Sequence, residues 1–256
     1  MKLPPVLRSV TASAFRDLHF CPQTPCLTPP GYFSSRLPAI STWFSEQQGT
    51  LNLPFFQHTL SEPELATAVT VESRAADTDV FERINVPFAL LLHYLALPIL
   101  PKELPKLYLA QVPLLDLIPT LRASLPTPDL VNETGRGDIY ATNLWLGRSE
   151  AINTPLHKDP NPNLFVQIAG RKRMRLFSPE EGRKLAGEVG RFRHAEEMMV
   201  GEQAERVEER VWGVDHEEGL EVEVKPGDGV FIPKGWWHAV KGVGEGVGGS
   251  ANWWFR

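Results

Sequence analysis

The chain has 256 residues, 42% of them hydrophobic and 9% aromatic, enough to build a core of one large domain. Its net charge of −5 argues against a nucleic-acid partner, because no basic footprint is present. The longest apolar run, residues 88–100, is broken by His93 and Pro98 and is too short to span a bilayer, and Met1-Lys2-Leu3-Pro4-Pro5 leads into no secretory h-region.

The two cysteines, Cys21 and Cys26, flank a proline-rich loop and read as reduced thiols, which suits a cytoplasmic or nuclear protein. Up to about residue 105 the sequence is mixed and punctuated by proline. Ser61-Glu62-Pro63-Glu64 has the form of a capping box and predicts a short helix, followed by a β-like Ala68-Val69-Thr70-Val71. Asn85-Val86-Pro87 predicts a second helix start, with Phe88 to Leu97 as the helix body.

From Lys106 the hydrophobic period becomes two. Leu107 to Gln111 predicts a strand and Leu114 to Leu125 a helical connection. Further strands are predicted at Asp138 to Leu146, Asn163 to Ala169, Lys172 to Phe177, Leu220 to Val224, Gly229 to Ile232, His238 to Val240 and Ala251 to Phe255. The fold class expected is mainly β: a double-stranded β-helix (jelly-roll, cupin) barrel over residues 106–256 with a mixed α/β flank over 1–105. Residues 187–219 break the pattern and read as an insert, either a lid over the barrel mouth or a tolerated surface loop. Gly242 to Gly249 reads as a hairpin connection; it lacks the lysine and threonine of a phosphate-binding loop.

Two segments carry the chemistry. Thr154-Pro155-Leu156-His157-Lys158-Asp159 places a histidine and an aspartate two residues apart, and His238 closes Ile232-Pro233-Lys234-Gly235-Trp236-Trp237-His238. Two residues apart on a strand share a face, so His157 and Asp159 can reach one ion with His238 as third ligand. Two imidazoles and one carboxylate form the set that holds Fe(II) on one side and leaves sites free for a co-substrate and O2. His194-Ala195-Glu196 and His216-Glu217-Glu218 have similar spacing but lie in charge-dense sequence and read as solvated surface.

In Gly170-Arg171-Lys172-Arg173-Met174-Arg175-Leu176 the period of two puts Lys172 on the apolar face with Met174 and Leu176. A lone ammonium there needs an anion. A dicarboxylate such as 2-oxoglutarate would supply it. Asn163, Gln167 and Asn252 are polar residues in apolar strands, and each would serve carboxylate oxygens or tie down backbone. Most of the tryptophans read as core, with one or two lining the mouth.

These segments, together with Tyr108-Leu109-Ala110-Gln111, Asn143-Leu144-Trp145-Leu146-Gly147, Pro226-Gly227-Asp228 and Ser250-Ala251-Asn252-Trp253-Trp254, resemble the JmjC branch of the cupin-like Fe(II)/2-oxoglutarate oxygenases over roughly residues 100–256. The small JmjC protein hydroxylases are the nearest branch. The resemblance implies that His157, Asp159 and His238 bind iron and that Tyr108, Thr154, Asn163, Lys172 and Asn252 hold 2-oxoglutarate. It implies hydroxylation of a protein or peptide side chain, with O2 consumed and succinate and CO2 released. Demethylation of a methyl-lysine, hydroxylation of a tRNA base and a non-catalytic metal-binding cupin stand as alternatives. Helices that dimerise some relatives find no match after Trp254, so a monomer or weak dimer is expected.

Overall fold

A computed structural model describes residues 1–45, 49–75, 81–189, 201–213 and 216–256. Its strands are β1 (Cys26–Leu27), β2 (Ala68–Arg74), β3 (Phe81–Pro87), β4 (Lys106–Val112), β5 (Ile139–Arg148) and β6 (Asn153–Lys158), then β7 (Asn163–Ala169), β8 (Arg171–Phe177), β9 (Leu220–Val224), β10 (Gly229–Ile232), β11 (Trp237–Val243) and β12 (Val247–Phe255). Eight form one sheet in the order β1-β10-β7-β12-β5-β4-β2-β3, and four form a second in the order β6-β11-β8-β9. All strand pairings are antiparallel. The two sheets face each other as a jelly roll, the cupin architecture expected from the short strands and Gly/Pro turns.

Alternation along the strands sorts residues into layers. On the large sheet, Leu144, Leu146, Leu164, Val166, Ile168, Ala251, Trp253 and Phe255 point outward into one hydrophobic cluster with Phe15, Trp43, Phe56, Phe88, Leu91 and Leu95 of the N-terminal third. The residues between them, Asn143, Trp145, Asn163, Gln167, Ser250 and Asn252, face the second sheet. A large sheet with an apolar back and a polar front has its site on the front.

The small sheet contributes Met174, Leu176 and Val240 to an inner cluster with Phe165, Val230 and Ile232. Its outer face carries Leu156, Phe177 and Ala239, which pack against Leu185, Val207 and Val211 from helices Pro179–Val189 and Glu202–Trp212. The described part of the 187–219 segment therefore backs onto the outside of the barrel. Residues 190–200, with His194, lie outside the described residues.

Several local expectations differ from what forms. The capping box is present, with Ser61 and Glu64 bonding reciprocally. The helix expected after Asn85-Val86-Pro87 forms at Phe88–Ala96, one residue short of the expected body, while Asn85 to Pro87 themselves continue β3, where Val86 pairs with Val69 and Pro87 with Ala68. The connection 114–125 is two pieces, Leu114–Leu117 and a 3-10 turn Pro119–Ala123, because Pro119 cannot continue the first.

Candidate metal centre

The two histidines meet because their strands pair. His157 on β6 lies directly opposite His238 on β11, with ring centroids 4.1 Å apart. Asp159 sits one residue beyond the end of β6, and its carboxylate lies on the same side as both imidazoles. The outcome is convergent: the three ligand atoms lie within 4.8 Å of one another.

His157 Nε2 stands 3.8 Å from Asp159 Oδ1, and His238 Nε2 stands 3.7 Å from Asp159 Oδ2. Ligands at right angles around an ion at about 2.1 Å are about 3 Å apart, so a small inward shift of each side chain completes the set. The chemistry of the donors also fits. His238 is buried, and desolvation with His157 beside it pushes its pKa down to about 4, so its ring is neutral and can ligate at ordinary pH. His157 Nδ1 lies 2.9 Å from the Pro155 carbonyl, which favours the tautomer with Nε2 free. Asn163 donates from Nδ2 to Asp159 Oδ2 at 2.6 Å and holds that carboxylate in place.

A bulge shapes β6. His238 pairs with His157 but Val240 pairs with Thr154, so Pro155 and Leu156 together oppose Ala239. Thr154 and His157, three apart, thus both face the interior. Thr154 bonds to the Tyr108 hydroxyl from there. Burial raises the Tyr108 pKa far above its ordinary value, and Glu72 adds to this, so its hydroxyl stays protonated.

Lys172 is 1% exposed, and its hydrogen-bond partners among the described residues are all neutral. Its Nζ donates to Ser250 Oγ at 2.7 Å and to the Tyr108 hydroxyl at 3.3 Å, and stands 5.7 and 5.6 Å from the ring centroids of Tyr108 and Phe165. Desolvation pushes its pKa down to about 7. An ammonium without an anion inside a barrel is the cost that a bound dicarboxylate removes. The structure thus gathers Tyr108, Thr154 and Lys172, and adds Ser250, which sequence reading had treated as a landmark only.

The amides serve differently. Asn163 spends its N–H on Asp159, leaving Oδ1 without a partner. Asn252 Oδ1 accepts from Trp145 Nε1 at 2.8 Å. Its cross-strand partner Asn143 is buried with Nδ2 unpaired, a second inward polar group that the sequence did not single out. Gln167 bonds to the Ala169 and Gly170 carbonyls, away from the metal. His216 sets its ring edge-on to Phe177 and is not one of the convergent ligands. Of the tryptophans, Trp253 is core, Trp237 packs outside the small sheet, and Trp254 lies opposite Asn163 in register.

Comparison with known proteins bears on the family. The cupin-like domain profile matches residues 13–256. Lysine-specific demethylase 8 of Danio rerio is 32% identical over 139 residues, covering 53% of this chain and 33% of that protein. JmjC domain-containing protein D of Dictyostelium discoideum is 30% identical over 156 residues, 54% of this chain and 33% of that one. Lysine-specific demethylase JMJ30 of Arabidopsis thaliana is 30% identical over 152 residues, 57% and 33% respectively. The matched stretch spans about a third of the length of these relatives.

Proposed function

Because the chain belongs to the cupin-like JmjC family, we propose that it is an Fe(II)- and 2-oxoglutarate-dependent oxygenase that hydroxylates a protein or peptide side chain. The observation that carries this reading is the presence in one interior of three convergent ligands and a buried ammonium that lacks an anion. Neither feature alone selects this chemistry. A metal-binding cupin without the reaction has no need of Lys172.

His157, Asp159 and His238 would hold the iron, and Lys172 with Tyr108, Thr154 and Ser250 would hold the distal carboxylate of 2-oxoglutarate. Iron held there would supply oxidation by O2, one oxygen atom going to a substrate C–H bond and the other to succinate as 2-oxoglutarate loses CO2. The chain's own work is positional. Asn163 fixes the Asp159 carboxylate, the Pro155 carbonyl fixes the His157 ring, and the neutral ring of His238 keeps its lone pair available. Phe165, Val240 and Ile232 keep water from the inner wall.

Lysine demethylation is the second reading, favoured by the names of two of the relatives. It needs the same oxygen insertion at an N-methyl carbon, followed by loss of formaldehyde. Free Cys21 and Cys26 accord with a cytoplasmic or nuclear protein, and no described helix is long and apolar enough to cross a membrane.

The test is an anaerobic titration of the metal-free protein with Fe(II) and 2-oxoglutarate, following the visible charge-transfer band. Wild type gives the band, Asp159→Ala does not, and Lys172→Ala needs at least about tenfold more 2-oxoglutarate, the loss of one charge-assisted contact. No band in folded, metal-loaded wild type overturns the reading. Peptide arrays then separate the outcomes: a mass gain of one oxygen for hydroxylation, or loss of a methylene with formaldehyde for demethylation.

A further inference from the structure

A second cavity, of about 580 Å3, opens at the end of the barrel away from the triad. The β7–β8 and β11–β12 turns, the last residue of β5 and the segment closing helix Phe88–Ala96 form its walls. None of the metal or co-substrate candidates lines it. The glycine-rich hairpin singled out in the sequence supplies one wall. Gly244 and Gly246 take φ of +80° and +84° there and leave bare backbone at the cavity surface. Leu97 and Val243, both half-buried, make an apolar strip beside it, over Leu95 of the core.

The side chains that line this cavity are richer in cations than in carboxylates, although Arg148 and Arg171 are each paired with a glutamate outside the lining, Glu150 and Glu223. Arg148, Arg171 and Lys225 line it against one carboxylate, Glu245, in a chain whose net charge is −5. Arg148 is the informative member. Its side chain is 10% exposed, its Nε donates to Glu150 at 3.1 Å and its Nη1 to the Leu97 carbonyl at 2.8 Å. Those bonds leave the Nη2 group without a protein acceptor among the described residues. The Nη2 group keeps contact with solvent and is free to take an acceptor from the cavity that Arg148 lines. Arg171 is bonded through Nη1 to Glu223, and its Nη2 lies against Gly244. Lys225 makes no ion pair among the described residues.

We propose that this cavity binds a small organic anion, with a carboxylate or phosphate on Arg148 and Lys225 and a short apolar body along Leu97 and Val243. The volume suits a metabolite-sized ligand, and the apolar strip distinguishes an organic anion from an inorganic one. The site is independent of the metal centre and does not rest on its assignment.

Calorimetric titration of the full chain with hexanoate, hexyl phosphate and hexanol tests this. The two anions bind saturably at one site per chain and hexanol does not; the tighter of the two identifies the head group. Arg148→Gln weakens binding at least about tenfold. Lys225→Glu, on an exposed side chain with no ion pair to lose, weakens it several-fold and decides the matter if Arg148→Gln fails to fold. Lys172→Met leaves it intact, which separates this site from the co-substrate pocket. Equal binding of hexanol, no saturable binding, indifference to Lys225→Glu, or loss of binding in Lys172→Met overturns the proposal.

Discussion

Lys172 concentrates the tension between stability and function. Its ammonium titrates near pH 7 when folded and near 10.5 when unfolded, so between those values the unfolded chain binds more protons. Stability attributable to this group therefore rises with pH from 7 to about 10 and is at its lowest below 7, where both states are charged. Replacing it with methionine stabilises the metal-free protein by about 2–4 kcal/mol at pH 7, a gain that shrinks toward pH 10. Chemical denaturation at a series of pH values checks this, and a loss of stability at pH 7 would contradict it. The residue was legible because a charge in an apolar alternation has no bland explanation. Ser250 was not, since a small hydroxyl in a Gly-Ser-Ala run signals nothing until Lys172 is seen to reach it. Thr154 came from resemblance alone, because the bulge at 155–156 changes which residues of β6 share a face.

At the scale of elements, the pairing of β4 with β5 sets Tyr108 opposite Gly147, and a Cβ at 147 would lie 2.7 Å from Tyr108 Cδ2. Gly147→Ala pushes that ring and its hydroxyl away from Lys172 and Thr154. Binding of 2-oxoglutarate should weaken about tenfold while Fe(II) affinity stays close to wild type; loss of both in a folded variant would refute the separation. The long alternating strands, β5, β7 and β8, were readable because each has one apolar and one polar or ligand-bearing side, or is apolar throughout. β1, β3 and β6 were not. β1 is two residues long, β6 carries a proline and a bulge, and β3 ends in the same Asn-Val-Pro that signals a helix start. There the helix does start, at Phe88, but pairing with β2 runs right up to it, through Pro87.

For the molecule as a whole, the first third of the chain covers the apolar back of the large sheet. Phe15, Phe56, Phe88 and Leu91 share one cluster with Leu144, Leu164 and Trp253, so the barrel and its flank bury each other. A chain beginning at residue 106 exposes that face and strips β2 from β4. It should give no cooperative thermal transition and partition into aggregates; a soluble fragment with a sharp transition would show that the barrel stands alone. The jelly roll was legible from the spacing of its turns, whereas the sharing of one core between flank and barrel needed the three-dimensional packing.

The two histidines opposite each other on β6 and β11 give the proposed iron a further consequence. Among the described residues β6 is the outermost strand of its sheet and is paired along one side only, by β11. An ion gripped by His157, Asp159 and His238 is a rivet across that border, since it joins the edge strand and its exit turn to the strand inside. Losing the ion would silence the site and at the same time unfasten the strand with an unpaired backbone edge, the surface from which chains recruit one another into aggregates. Iron starvation would then be read out as a shortened lifetime of the protein as well as idle enzyme.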